Sequence, residues 1–169
     1  MDAADLLRDA FGRVPQLAHG AVEGLTDGEL AARVDSEANT VAWLLWHVGR
    51  GQDAQLAEAL GTEQVWVGGG WRERFGLPLP ADDTGYGHSS AQVASVRAPA
   101  DLLTGYVEAV AAVADEALRG VRAEDLDRVV DERWDPPVTL GVRLVSIVGD
   151  ALAHLGQAGY VRGLLLRAR

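Results

Sequence analysis

The sequence predicts an all-α protein built as a four-helix bundle, on three observations. Apolar residues recur at the helical period of 3.6 in long stretches. Residues that start or stop helices bound those stretches, and no run of apolar–polar alternation is long enough to make a convincing strand. Helices with one apolar stripe must bury it against one another, and four long ones close a core.

The elements follow in order. Asp5 to Glu23 carries Leu6, Leu7, Phe11, Val14, Leu17 and Ala18 near the i, i+3, i+4, i+7 spacing, with Pro15 marking a kink or a late start. Thr26 with Glu29 is a capping-box pair that opens a short element, Asp27 to Val34. A polar loop leads to Asn39, whose side-chain oxygen suits an N-cap, and to the second long helix, Thr40 to Leu60, closed by Gly61. Residues 62–100 break the pattern and form a long irregular loop between the second and third long helices. That loop mixes Gly68-Gly69-Gly70, Pro78, Pro80, Gly85 and Gly87 with Trp66, Trp71, Phe75 and Tyr86. Loops of this length usually cover a site or bind something. Ser89 or Ser90 to Arg97 forms a short helix within it. Pro99 then sits at the start of the third long helix, Ala100 to Leu118, where its missing N–H does little harm, and Gly120 closes that helix. An acidic segment, Arg122 to Pro137, ends in a Trp134-Asp135-Pro136-Pro137 turn before the last helix, Thr139 to about Leu166. No internal repeat or second domain is visible, so residues 1–169 read as one helical-bundle domain.

The composition narrows the function. With 169 residues, 48% hydrophobic and 24% charged, the chain can close a real core. Its net charge of -10 argues against nucleic acid or an anionic membrane as partner, because counterion release from phosphates needs clustered cations. Cysteine is absent, so any sulfur nucleophile must arrive on a small molecule. The N-terminus, MDAADLLRDAF, lacks the basic and apolar regions of a secretion signal, which points to the cytoplasm. The longest apolar stretch, Leu140 to Leu166, is interrupted by Arg143, Asp150, His154, Gln157 and Arg162. It therefore reads as a buried helix rather than a membrane span.

The chemistry sits in that last helix. Arg143, Asp150, His154 and Gln157 are 7, 4 and 3 residues apart, so they share one face of an otherwise apolar helix. Such a stripe is expected to point inward at something that satisfies it. Asp150 and His154, at i and i+4, can grip one ion from a single helix. His47 is the corresponding oddity of the second long helix, set among Val41, Ala42, Trp43, Leu44, Leu45, Trp46 and Val48. Two imidazoles and a carboxylate suit Zn, Ni, Mn or Fe(II) with coordination positions left open. The same residues also read more plainly, His47 as a hydrogen-bonded core histidine and Asp150 with His154 as an ion pair. Gln157 and Arg143 are candidates for holding a cofactor or substrate. Arg50 reads as a surface arginine or as a holder of a substrate carboxylate or hydroxyl, Asp53 as a surface salt-bridge partner, Trp43 as core or as a pocket wall, and His88 as an exposed loop histidine or as a proton shuttle on a loop folded over the metal pocket. His19 has no partner pattern.

His154-Leu155-Gly156-Gln157, with a ligand-type side chain four residues before it and Tyr160-Val161-Arg162-Gly163 after it, resembles the last-helix signature of the DinB-like superfamily. Asn39-Thr40-Val41-Ala42-Trp43-Leu44-Leu45-Trp46-His47 resembles its second-helix signature, and the likeness runs over most of the chain. The loop 62–97 and Asp131-Glu132-Arg133-Trp134-Asp135-Pro136-Pro137 resemble an actinobacterial branch related to mycothiol-dependent S-transferases and maleylpyruvate isomerases. A lysine-free, Ala-, Gly- and Val-rich chain agrees with GC-rich codon usage.

The resemblance implies a four-helix bundle that binds a divalent metal, typically through three histidines. His47 and His154 fall on two of those positions, and Asp150 stands where the third histidine is usual. It further implies a metal-bound low-molecular-weight thiol, mycothiol or a relative, that attacks an electrophile. Two other classes remain open, a non-catalytic metal-binding or dimerising bundle and a metal-dependent hydrolase. Gly149, Gly156 and Gly159 would permit close helix approach across a homodimer.

Overall fold

The computed structural model describes residues 1–169. Eight helices follow in chain order: α1 (Ala3–Val22), α2 (Asp27–Leu30), α3 (Val41–Leu60), α4 (Val65–Gly68), α5 (Trp71–Phe75), α6 (Ser90–Ser95), α7 (Ala100–Leu118) and α8 (Leu140–Arg167). A 3-10 turn at Ala123–Asp127 leads into a small antiparallel ladder before α8. In it β1 (Val129–Asp131) pairs with β2 (Val138–Thr139), Val129 opposite Thr139 and Asp131 opposite Val138. The alternation in these strands is too short to be read from sequence, and the ladder serves to return the chain to α8.

The four long helices form a ring in which α3 packs on α8 and α7, and α1 packs on the other sides of the same two. Their ends follow local chemistry. Asp2 and Thr26 cap α1 and α2 with reciprocal side-chain bonds, and Thr139 caps α8. Thr40 caps α3 by accepting from the Trp43 N–H at 3.0 Å, one residue later than the Asn39 the sequence favours. Gly61, in the left-handed conformation at φ 69°, ends α3. Pro15 lies inside a continuous α1.

On α1 the buried residues are Phe11, Val14, Ala18, Ala21 and Val22, while Leu6 and Leu17 face solvent. On α8 they are Leu140, Leu144, Ile147, Val148, Ala151, Leu155, Ala158 and Val161, a single stripe. By contrast, α3 is buried on nearly every side, because two helices flank it and the chain after α3 folds over the rest. That chain, residues 62–99, is mostly irregular but anchored: Trp66, Trp71, Phe75, Val93 and Val96 from it all enter the core. No helix is long and apolar enough to cross a membrane. Gly149, Gly156 and Gly159 lie exposed on α8 with open space beside them, so packing within the chain does not require them.

A buried polar knot ties the 62–99 segment to α3, and it corrects two sequence expectations. Arg50 and Asp53 are not surface residues; their side chains are 0% and 4% exposed, with 3.5 Å between Nη1 and Oδ2. Asp53 accepts from the backbone N–H groups of Val65 at 2.8 Å and Trp66 at 2.7 Å, satisfying the free start of α4, and from the Tyr106 hydroxyl at 2.8 Å. Arg50 donates to the Asp83 carbonyl at 3.0 Å and to Gln64 Oε1 at 3.0 Å. Burial, and then the adjacent Asp53 carboxylate, push the Tyr106 phenol well above its usual range, so it stays a donor. The spacing of Asp53 from His47 excluded it from that helix face but held no sign of the segment that would cover it. Gly49 belongs to the same contact, since a Cβ there would lie 2.6 Å from the Tyr106 ring. His19, for its part, meets Glu108 on α7 at 2.6 Å.

Because Asp53 is the only carboxylate in this knot, its loss leaves a buried guanidinium and two backbone donors unmatched. Asp53→Ala is expected to lower stability by about 3–5 kcal/mol in urea denaturation.

Candidate metal centre

His47, Asp150 and His154 converge. Each offers one ligand atom, and these atoms all lie within 4.8 Å of one another. The convergence follows from the packing of α3 along α8, which sets His47 opposite the i, i+4 pair. The two imidazole rings meet edge to face with centroids 4.6 Å apart. Trp43, one turn before His47, stacks on it at 4.7 Å and 10° and is only 6% exposed, so it is both core residue and wall of the site.

The hydrogen bonds settle which nitrogens are free. His47 Nδ1 faces the Thr84 carbonyl at 2.5 Å, and His154 Nδ1 faces the Asp150 carbonyl at 2.9 Å. A carbonyl only accepts, so each Nδ1 carries a proton, and Nε2 is the nitrogen left to offer a lone pair to a cation when the ring is neutral. Asp150 Oδ1 lies 3.5 Å from His154 Nδ1.

Burial pushes the His47 imidazole down, the Thr84 carbonyl partly opposing it, which favours the neutral ring. The hydrogen bond to Asp150 raises His154, and the hydrogen bond to His154 lowers Asp150 against the opposing effect of burial. In the cation-free protein this pair therefore stabilises the fold between the two pKa values. The contribution of Asp150 is lost as pH falls through its depressed pKa, and that of His154 as pH rises through its raised one.

The sequence expectation that the polar stripe of α8 points into the core needs correction. Asp150 is 46% exposed and His154 19%. The stripe lies at the seam where α8 leaves the core, and it borders a cleft of about 580 Å³. His47, Gly51 and Asp150 line one end of this cleft, Gln55, Arg133 and Ser146 extend it, and Thr84 and Tyr86 come from the long loop. The cleft runs from Asp150 towards the start of α8. Gln157, exposed and about 4.5 Å along the helix beyond His154 in the opposite direction, does not line it. Nor does Arg143, which is held by Asp131 at 2.6 Å and Gln55 Oε1 at 3.0 Å. Asp131, 2% exposed and drawn well below the usual carboxylate range by Arg133 first and Arg143 after it, fixes the turn that brings Arg133 to the cleft.

His88 corrects another expectation. Its side chain is 3% exposed, with Nε2 2.9 Å from both carboxylate oxygens of Asp83 and Nδ1 accepting from Trp43 Nε1 at 3.0 Å. Thr84 escapes sequence reasoning because it contributes a backbone oxygen that no side-chain pattern reports. The Gly85-Tyr86-Gly87 run was the available signal, because φ values of +92° at Gly85 and +71° at Gly87 call for glycine.

The fit to a cation rests on the donor set. Two neutral imidazoles and one ionised carboxylate, gathered at the end of an open cleft, can hold a borderline divalent ion and leave positions free.

An all-α bundle with this arrangement at the end of a surface cleft is a DinB-like protein. A model of the mycothiol-S-transferase family matches residues 6–166, and the chain belongs to that family. A solved structure described as a conserved protein from Enterococcus faecalis has a TM-score of 0.91 and 32% sequence identity, with 98% of each chain covered. No match was found among curated proteins.

Gly85 is the tightest approach of the loop to the site. A Cβ there would lie 2.9 Å from His47 Nδ1 and 3.1 Å from both Trp43 and Trp46. Gly85→Ala is expected to cost about 1–3 kcal/mol from its backbone conformation alone, read by denaturation, and to displace His47.

Proposed function

We propose that the chain is a cation-dependent thiol S-transferase acting as one domain. His47, Asp150 and His154 hold a single divalent ion, Zn or Ni foremost, with Fe or Mn compatible with the same donors. A bound cation of this kind favours the thiolate of a mycothiol-type thiol near neutral pH. The sulfur then forms a bond to an electrophilic carbon, whose leaving group or π electrons take the displaced pair, and the thiol proton passes to solvent. The observation that carries the reading is the convergence of two imidazoles and a carboxylate at the end of a cleft in a member of this family. The absence of cysteine supports it, since the protein supplies no thiol of its own.

Within that scheme the chain's residues divide the work. His47 is held rigid by Thr84 and Trp43, while the more exposed Asp150 can turn towards the ion and offsets part of its charge. Tyr86, 94% exposed on the loop, and Arg133, whose Nη1 has no protein partner, face the substrate from the rim of the cleft. Arg143, rather than holding the cofactor itself, keeps Arg133 in place through Asp131. The open, exposed glycines of α8 support pairing of two copies along that face. A cytoplasmic location suits a protein that works with an intracellular thiol.

The test combines binding and turnover. Saturating Zn(II) or Ni(II), at about 100 times Kd, should stabilise the wild type by about 2.7 kcal/mol, and His154→Ala should abolish this gain. With mycothiol and a fluorescent electrophile, the loaded wild type should form conjugate above the cation-only blank, and His154→Ala should not. Stabilisation without conjugate would leave a cation-binding bundle, and a hydrolysed electrophile in place of conjugate would identify water as the nucleophile.

A further inference from the structure

His88, with its side chain buried, and the half-buried Asp83 are polar and unused by the chemistry above. Both nitrogens of His88 are engaged and its side chain is 3% exposed, so it has no route for a proton to the cleft. Its bonds instead trace a closed circuit. Trp43 Nε1–H donates to His88 Nδ1 at 3.0 Å, which requires the proton of His88 to sit on Nε2, and that N–H donates to the Asp83 carboxylate at 2.9 Å. Asp83 Oδ1 accepts from the Gly85 N–H at 2.8 Å, bending the chain so that the Thr84 carbonyl between them meets His47 Nδ1. His47 lies one turn beyond Trp43 and stacks on it, which closes the ring. Trp46 stacks on His88 at 5.7 Å and fills the centre.

We propose that His88 and Asp83 are positioning residues: together they latch the 83–88 strap to Trp43, hold the Thr84 carbonyl on His47, and so keep His47 in the tautomer that presents Nε2 to a cation. The proposal rests on the reading of His47 as a ligand, but the tautomer it specifies exists in the cation-free protein. Outer-shell partners of this kind typically change metal affinity by about 10- to 100-fold.

The experiment reads the two effects separately. Two-bond 15N–1H correlation spectra of cation-free protein report the tautomer of His47, and competition with a chromophoric chelator reports Zn(II) affinity. The wild type should show His47 protonated at Nδ1 alone. His88→Leu should mix the tautomers and weaken Zn(II) binding by about 10- to 100-fold. His88→Gln, whose amide N–H can still reach Asp83, should recover most of both. Asp83→Ala, which opens the strap from the other side, should act in the same direction as His88→Leu and keeps the test decisive if that variant does not fold. Variants that retain the Nδ1-protonated ring and bind Zn(II) within twofold of wild type would overturn the latch. A wild type with the stated tautomer that binds no Zn(II) would support the latch and overturn the cation reading instead.

Discussion

The seam between α3 and α8 governs this molecule. α3 is wrapped by protein on nearly all sides, and His47, half-buried at the edge of the cleft, is held through Nδ1 by the loop that packs against it. α8 runs past it with one apolar stripe buried and the adjoining polar stripe at the edge of the core. Where the two meet, His47 from the enclosed helix faces Asp150 and His154 from the half-open one. Burial favours the neutral form of His47, and the hydrogen bond to His154 favours the charged form of the half-exposed Asp150. The pairing of a fixed neutral donor with an adjustable anionic one is what a cation site with free positions requires.

The loop between α3 and α7 completes that arrangement, and its ordering has to be offset by contacts. Holding so many irregular residues in one conformation costs about 1–2 kcal/mol of backbone entropy each. Trp66, Trp71 and Phe75 cluster around Tyr106, with ring centroids 5.2–5.9 Å apart for the pairs that contact it. The Arg50–Asp53 knot adds fixed polar contacts at Asp83, Gln64, Val65 and Trp66. These anchors lie beside the strap that carries Thr84, so stability of the loop and geometry of His47 are coupled through the same few residues.

The fold was legible because helical periodicity and caps are local signals: Thr26 with Glu29, Gly61, Pro99 and Thr139 each mark an end that the structure keeps to within a residue or so. His47, Asp150 and His154 were legible as candidates because polar groups on apolar helix faces are conspicuous. What escaped was everything set by the loop. Arg50, Asp53 and His88 look like surface residues until the segment that covers them is in place, and nothing in their own spacing encodes it. Gln157 lies on the same broad face of α8 as His154 but about 60° round the axis and one turn further along, and periodicity alone does not say where a cleft ends. Thr84 acts through its backbone, which is silent in sequence.

Anomalous diffraction from crystals grown with Zn(II), recorded on both sides of the metal absorption edge, addresses the central claim directly. A single strong peak is expected between His47 Nε2, Asp150 and His154, about 2.0–2.2 Å from its ligand atoms. A cleft without a peak under those conditions, or a peak held by other residues while these three groups stay paired among themselves, would contradict it.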